Sequence, residues 1–241
     1  MNRNPKATLW LFAYTGLTVA THMSILGELT TWGPNIAHRG KGGDANIDRA
    51  RSKVASAFLR ETYESAGDAL LMVDSDNAWQ PGDLAKIAKR ALEHNAVVGG
   101  IYPKRAFNQG PALRVAVGAE GTYKIGQDHL LPAEFVGTGF IAIPRLVLEA
   151  VGRTLPTLKG DFKPFFMPYA VNGEYPTDDW AFCARVREAG FKVFASTYPR
   201  LTHEGSYTYR MVDSDKTPPP DRDMEFTLMT PKELQALSTP V

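Results

Sequence analysis

The sequence predicts an α/β fold built on a mixed, mostly parallel sheet flanked by helices. Three observations carry that expectation. Apolar runs bounded by turn residues recur at Ala7–Tyr14, Ala69–Val73 and Ala96–Tyr102. The segments between them place apolar residues at helical spacing. Strand and helix patterns alternate in this way up to Tyr102, as in strand–helix–strand units.

Ala7–Tyr14 reads as a buried strand, followed by a helix from about Thr18 to Trp32 and a short strand at Asn35–Arg39. Lys41-Gly42-Gly43 is a loop. Asp44 then caps a long helix carrying Ile47, Ala50, Val54, Ala55, Phe58 and Leu59. Ala69–Val73 holds no polar residue, which suits a strand buried on both faces. Pro81 fits the first turn of a helix with Leu84, Ile87, Ala88 and Leu92 inward. Past Tyr102 the pattern shifts. Leu113–Val117, Thr122–Ile125 and Leu130–Phe135 read as a small antiparallel meander. Gly139–Ile143 is another strand, and Pro144 opens a helix to about Val151. Residues 154–176, rich in Pro, Phe and Lys, form a long loop of the kind that often serves as a lid. Thr177 caps a helix ending at Gly190, and Phe191–Ala195 is the last strand. From Asp213 the chain turns Pro-rich and charged. The expected organisation is one domain over residues 1–212 and a mobile tail over 213–241.

Lys plus Arg total 27 against 26 for Asp plus Glu, a formal charge of +1. That balance argues against a uniformly basic nucleic-acid binder and against an acidic disordered chain. Cys183 is the one cysteine, so neither an intrachain disulfide nor a Cys-based zinc cluster can form. A reducing, cytoplasmic compartment fits. Ala7 to Gly27 lacks any charged residue, which raises the question of an anchor. Its threonines, His22, Ser24 and Gly16 suit that role poorly, and the strongly apolar part ends at Tyr14, too short to cross a bilayer. No membrane span is expected.

The most informative segment is Leu70-Leu71-Met72-Val73-Asp74-Ser75-Asp76. A buried strand runs straight into two acids one residue apart. Period-two geometry puts both carboxylates on one side, at the edge where open α/β sheets bind ligands. Two hard oxygen ligands there suit Mg²⁺ or Mn²⁺ bridging a diphosphate. The sequence holds its own control. Met211-Val212-Asp213-Ser214-Asp215 repeats the same five residues with no buried strand before them, and reads as a solvated turn.

Asp178 and Asp179 form a second acid pair at a helix start, where the helix dipole alone favours acids. The functional alternative is that one of them takes a proton from an acceptor hydroxyl. Lys104 and Arg105 follow a Gly-Gly strand, within reach of a phosphate or an acceptor. Trp79 and Trp180 are candidates for stacking on a sugar or base, although core packing is the commoner role. Cys183, between Phe182 and Val186, reads as a small buried hydrophobe.

The order and spacing of several short pieces point further. They are Phe12-Ala13-Tyr14-Thr15, Ala50-Arg51, Val73-Asp74-Ser75-Asp76, Val98-Gly99-Gly100-Ile101-Tyr102-Pro103-Lys104, Gly137-Thr138-Gly139-Phe140, Thr177-Asp178-Asp179-Trp180 and His203-Glu204-Gly205. Between Ala7 and Gly205 the chain resembles a GT-A glycosyltransferase, close to the family 2 type and to small phage-encoded relatives. The resemblance implies a nucleoside-diphosphate-sugar donor such as a UDP-sugar, a divalent metal, and transfer to an acceptor hydroxyl. It places the nucleobase and ribose at Tyr14 and Thr15, and the donor diphosphate near Arg51, Asp74 and Ser75. It puts a sugar contact at Gly139 and the metal on Asp74, Asp76 and His203. Asp179 becomes the base of an inverting reaction, with Asp178 next in line. The family normally shows Glu-Asp where this chain has Asp178-Asp179, which weakens the assignment within the pair.

Two rival readings stand beside this one. A nucleotidyltransferase would carry a Gly-rich loop with Lys or Arg after the first strand, and Thr15-Gly16-Leu17-Thr18 has none. A non-catalytic nucleotide-sugar-binding module would not need both acid pairs and His203. The acceptor is a glycan or, in a phage context, a hydroxymethylated DNA base. For DNA the basic residues Arg39, Lys41, Arg49, Arg51, Lys53 and Arg60 are the available cations.

Overall fold

The computed structural model describes residues 5–13, 16–105, 110–171, 173–205, 208–209 and 225–228. Tyr14, Thr15 and the second Asp-Ser-Asp copy lie outside the described residues. In chain order the elements are β1 (Ala7–Ala13), α1 (Val19–Trp32), β2 (Ile36–Gly42), α2 (Ile47–Arg60), α3 (Tyr63–Ala66), β3 (Ala69–Asp74), β4 (Asn77–Ala78) and α4 (Asp83–His94). Then follow β5 (Val97–Gly100), β6 (Leu113–Val115), β7 (Gly121–Lys124), β8 (Leu130–Val136), β9 (Phe140–Pro144) and α5 (Arg145–Thr154). Last come α6 (Asp178–Glu188), β10 (Val193–Ser196), β11 (Thr202–Glu204), β12 (Thr208–Tyr209) and β13 (Glu225–Leu228).

The main sheet runs β2-β1-β3-β9-β5-β10-β8-β6. Strands β1, β2, β3, β5, β6 and β10 point one way, and β8 and β9 point the other. The sheet is therefore mixed, with the parallel direction dominant. Its alternation divides the core. Leu70 and Met72 of β3 join Val54, Phe58, Val147 and Phe182, beneath α2, α5 and α6. Leu71 and Val73 join Ile25, Trp32, Leu84 and Ile87, beneath α1 and α4. A strand that buries both faces has no polar position to spare, which is why Ala69–Val73 is continuously apolar.

Several boundaries differ from the sequence expectation. Asn46, not Asp44, caps α2, its side chain accepting from the Arg49 N–H. The Asp44 carboxylate turns instead to Arg49 and Lys53. Pro81 stands outside α4, whose cap position is Gly82 at φ +93. The start of α4 is held from another helix: buried Glu28 of α1 accepts from Gly82 N at 2.9 Å and Ala85 N at 3.1 Å. Of the three meander strands, β6 and β8 extend the main sheet, while β7 pairs with β13. That partner lies inside the stretch read as a tail, and residues 217–223 lie outside the described residues. The long loop of 154–176 is fastened to α2. Phe165 and Phe166 are fully buried, and Lys163 N and Phe166 N donate to the hydroxyls of Ser56 and Ser52. Among the described residues no helix is long and apolar enough to cross a membrane.

Candidate active site

The turn after β3 is pinned from three sides. Asp74 N donates to Gly139 O at 3.0 Å, Ser75 N to Phe12 O at 2.9 Å, and Thr18 N to Ser75 O at 3.0 Å. Ser75 thus holds the turn through its main chain. The Asp74 carboxylate is held in an ion pair although its side chain is 29% exposed. Arg51 Nη2 donates to both of its oxygens, at 2.7 and 2.9 Å. Arg51 Nη1 donates to Asp178 Oδ2 on α6. The Arg51 side chain is 5% exposed and lies over the Phe12 ring. Burial alone would lower the affinity of this guanidinium for its proton, but Asp74, Asp178 and Asp179 outweigh it and raise its pKa.

Asp76 faces another way. The short pairing of β4 with β11 sets Asn77 opposite His203, and Glu204 N donates to Asp76 O at 2.6 Å. His203 Nδ1 sits 2.9 Å from Pro103 O. A carbonyl only accepts, so Nδ1 carries the proton and Nε2 is left toward Asp76 Oδ1, 3.5 Å away. Asp76 Oδ1 is buried and makes no hydrogen bond, while Oδ2 pairs with Arg105 Nη1 at 2.9 Å. Burial pushes the Asp76 carboxyl up, but His203, when protonated on Nε2 as well, and Arg105 prevail and hold it below the usual range. The Tyr102 ring meets the His203 ring edge-on at 5.4 Å.

This geometry bears on the expected metal ligands. An imidazole fixed by a carbonyl on its far nitrogen, facing an unpartnered buried carboxylate oxygen, suits a divalent cation. Asp76 and His203 fit that requirement. Asp74 shares the turn, but Arg51 engages both its oxygens. Among the described residues no group of three or more His, Cys, Asp or Glu side chains is arranged around one point where an ion would bind.

Asp178 and Asp179 open α6, where Thr177 occupies the cap position without a side-chain cap bond. Burial, then the neighbouring Asp178 carboxylate, push Asp179 up to about 6, with Arg51 pulling the other way. Fully enclosed Tyr102 lies close by. Its hydroxyl accepts from Gly139 N at 2.9 Å, and burial, Asp74 and Asp179 push its pKa well above 10.

Tyr102, quoted only inside a motif, and Asn77 had no role in the sequence reading, and the glycines were their trace. A Cβ on Gly139 would lie 2.7 Å from Asn77 Nδ2, 2.8 Å from the Tyr102 hydroxyl and 2.9 Å from Asp74 Oδ2. A Cβ on Gly137 would overlap the Tyr102 hydroxyl. These glycines make room for the protein's own polar side chains.

Other candidates sit further out. Lys104 is exposed beside Pro103. Trp79 is buried in the core, its indole N–H donating to Glu28. Trp180 stacks on Phe135, with the Arg114 guanidinium 4.3 Å from its ring centre. Cys183 is fully buried, and burial pushes its thiol up to about 12. Most of the cations from Arg39 to Arg60 are ion-paired or internal. Arg39 pairs with Glu61, Arg49 and Lys53 with Asp44, and Arg60 with Asp161, while Arg51 is internal. A hollow of about 310 Å³, lined by Met23, Ser24, Trp79 and Arg200, also takes in Ala78 and Thr202. Those two alternate with Asn77 and His203, so the hollow opens on the other face of the β4–β11 pair.

No family model and no curated protein matches the chain. Solved structures do. The chain is similar to A197 from STIV, with a TM-score of 0.55 at 15% identity, over 90% of this chain and 100% of that one. It is also similar to GalNAc-T7, solved with UDP, GalNAc and Mn²⁺, with a TM-score of 0.53 at 9% identity. That alignment covers 84% of this chain and 44% of GalNAc-T7, so the chain spans less than half the length of that protein. At such identities the likeness speaks for the fold alone. The fold is GT-A-like, as found in glycosyltransferases.

Proposed function

We propose that this chain is a metal-dependent glycosyltransferase, moving a sugar from a nucleoside diphosphate to an acceptor hydroxyl. One observation carries the reading: the acids at this sheet edge divide into two unlike stations. At one, Asp76 presents an unpartnered buried oxygen to His203. At the other, Asp179 is raised to about 6, close to the pH at which a carboxylate works as a general base. A Mn²⁺ or Mg²⁺ ion on Asp76 and His203 would supply positive charge to the departing diphosphate. GalNAc-T7 shares the fold and was solved with UDP and Mn²⁺, which supports a UDP-sugar and manganese.

In this scheme Asp179 takes the proton of the acceptor hydroxyl. The acceptor oxygen forms its bond to the anomeric carbon as the bond from that carbon to the diphosphate oxygen breaks. The anomeric configuration inverts. The roles of Tyr14 and Thr15 toward nucleobase and ribose rest on the sequence resemblance, and exposed Lys104 stands at the rim for phosphate or acceptor. A glycan is the favoured acceptor, because Arg39, Arg49 and Arg60 are ion-paired with Glu61, Asp44 and Asp161, which weakens a DNA face. The single buried cysteine suits the reducing cytoplasm.

The test is a donor panel of UDP-, GDP- and TDP-sugars with Mn²⁺, read as nucleotide release. Release that EDTA abolishes supports the proposal. A protein that binds these donors and releases nucleotide from none of them is a binding module instead. Salt-sensitive retention of duplex DNA would restore the DNA-base acceptor.

A further inference from the structure

Arg51 is the most enclosed cation at the site, and it touches three elements at once. It rises from α2, lies over Phe12 of β1, and divides its two terminal nitrogens between the end of β3 and the start of α6. The resemblance assigns such an arginine to the neighbourhood of the donor diphosphate. The geometry leaves little for that purpose. Nη2 is spent on both oxygens of Asp74 and one Nη1 N–H on Asp178, and what remains is the second Nη1 N–H and Nε, the latter buried and without a partner. With 5% of the side chain exposed, the guanidinium cannot turn to a phosphate without releasing the half-buried acids it pairs with.

We infer that Arg51 is a positioning residue: it clamps Asp178 against Asp74, and so leaves Asp179 as the acid of that pair free to take a proton. This rests on the reading of the site as a sugar-transfer centre, and it supplies what the sequence left open, namely which aspartate is the base. Asp178 sits 127 residues from Arg51 in the chain and is tied to it directly. Asp179 has no cation paired to its carboxylate among the described residues. An ion-paired carboxylate is a poor proton acceptor, and one crowded by a neighbouring acid, with the guanidinium acting on it only from beyond pairing distance, is a better one. The clamp also fixes the distance between the turn that carries Asp76 and the helix that carries Asp179. Both stations must meet one donor–acceptor pair, so a loose clamp costs turnover more than binding. A lysine cannot replace the fork, because its single nitrogen cannot span both acids.

The experiment compares Arg51→Gln, Arg51→Lys, Asp178→Asn and the double variant Arg51→Gln/Asp178→Asn with wild type. Each is read as kcat and donor KM for nucleotide release and as midpoint of thermal unfolding. Arg51→Gln should lower kcat about 100-fold, the cost of misplaced reacting groups. Donor KM should stay within about 3-fold, since interactions made only in the transition state are the ones lost. The double variant should be no slower than Arg51→Gln alone, and its unfolding midpoint should recover part of the loss, because an unpaired buried acid has been removed. Arg51→Lys keeps the cation and serves if Arg51→Gln does not fold; it should show the same kcat loss. A rise in donor KM with kcat unchanged would make Arg51 a diphosphate ligand and overturn the inference. Multiplying losses in the double variant would overturn it too. If wild type releases no nucleotide, the sugar-transfer reading fails by itself. The clamp is then judged on the unfolding midpoints, where additive losses overturn it.

Discussion

Asp83 and Asp179 make an instructive pair. Each lies in the first turn of a helix, and each is pushed up to about 6, chiefly by burial and then with help from a neighbouring acid, Glu28 or Asp178. Their surroundings differ in what the oxygens touch. Asp83 Oδ2 accepts from Gln80 N at 3.1 Å and Arg200 N at 3.3 Å. Glu28 beside it accepts from the Trp79 indole, Gly82 N and Ala85 N. That pair is spent on the backbone and holds α4 against α1. Asp179 lies among Asp178, Arg51 and Tyr102, near the sheet edge where the β3 turn ends. A raised carboxyl therefore marks a site only where its oxygens have no structural employment.

The largest expected effect separates the two acids directly. Asp179→Asn should lower turnover by about 10²- to 10⁴-fold, the usual worth of a general base, without lowering the unfolding midpoint. Asp83→Asn should leave kcat within a few-fold of wild type. Equal losses of kcat in both variants would erase the distinction.

Next comes Glu28→Ala, which strips an acceptor from three donors and should cost about 3–4 kcal/mol in denaturant unfolding. Residual folded protein should retain its turnover. Gly139→Ala is a milder intrusion. Its Cβ meets Asp74, Tyr102 and Asn77, so about 1–3 kcal/mol of stability and a measurable part of kcat should go together.

The pH dependence is gradual, and its sign is informative. Glu28, Asp83 and Asp179 all have folded-state pKa values above the ordinary carboxylate value. Each contribution to stability is fully present below about pH 4 and is lost as pH rises above it, toward about 6 for Asp83 and Asp179, by at most ~1.4 kcal/mol per pH unit for each group. Turnover should climb across the same window as Asp179 loses its proton. Stability and activity with parallel slopes between pH 4 and 6 would contradict the assignment.

Much of the fold was legible because the chain writes burial plainly. Ala69–Val73 is apolar throughout because both faces of β3 are covered, and α2 shows its inward stripe from Ala50 to Phe58. The insertion of β9 antiparallel between β3 and β5 was not legible, since an apolar run carries no direction. Nor was the pairing of β13 with β7, across about a hundred residues of chain. At the site, Asp74, Asp76, Asp178, Asp179 and His203 were named from the sequence. Their partners were not. Arg51 was placed near the donor diphosphate, because its neighbours Arg49 and Lys53 are exposed and nothing local says that it points inward to Asp74 and Asp178. Tyr102 was hidden for the same reason: it acts through Gly139 and His203, both distant in the chain.

The most direct test of the central claim is nucleotide release from a UDP-sugar with Mn²⁺, by wild type and by Asp76→Asn. The account predicts release by wild type that disappears with EDTA and in Asp76→Asn, at an unchanged unfolding midpoint. Release that persists with EDTA and in Asp76→Asn would contradict it, as would donor binding without release from any nucleoside-diphosphate sugar.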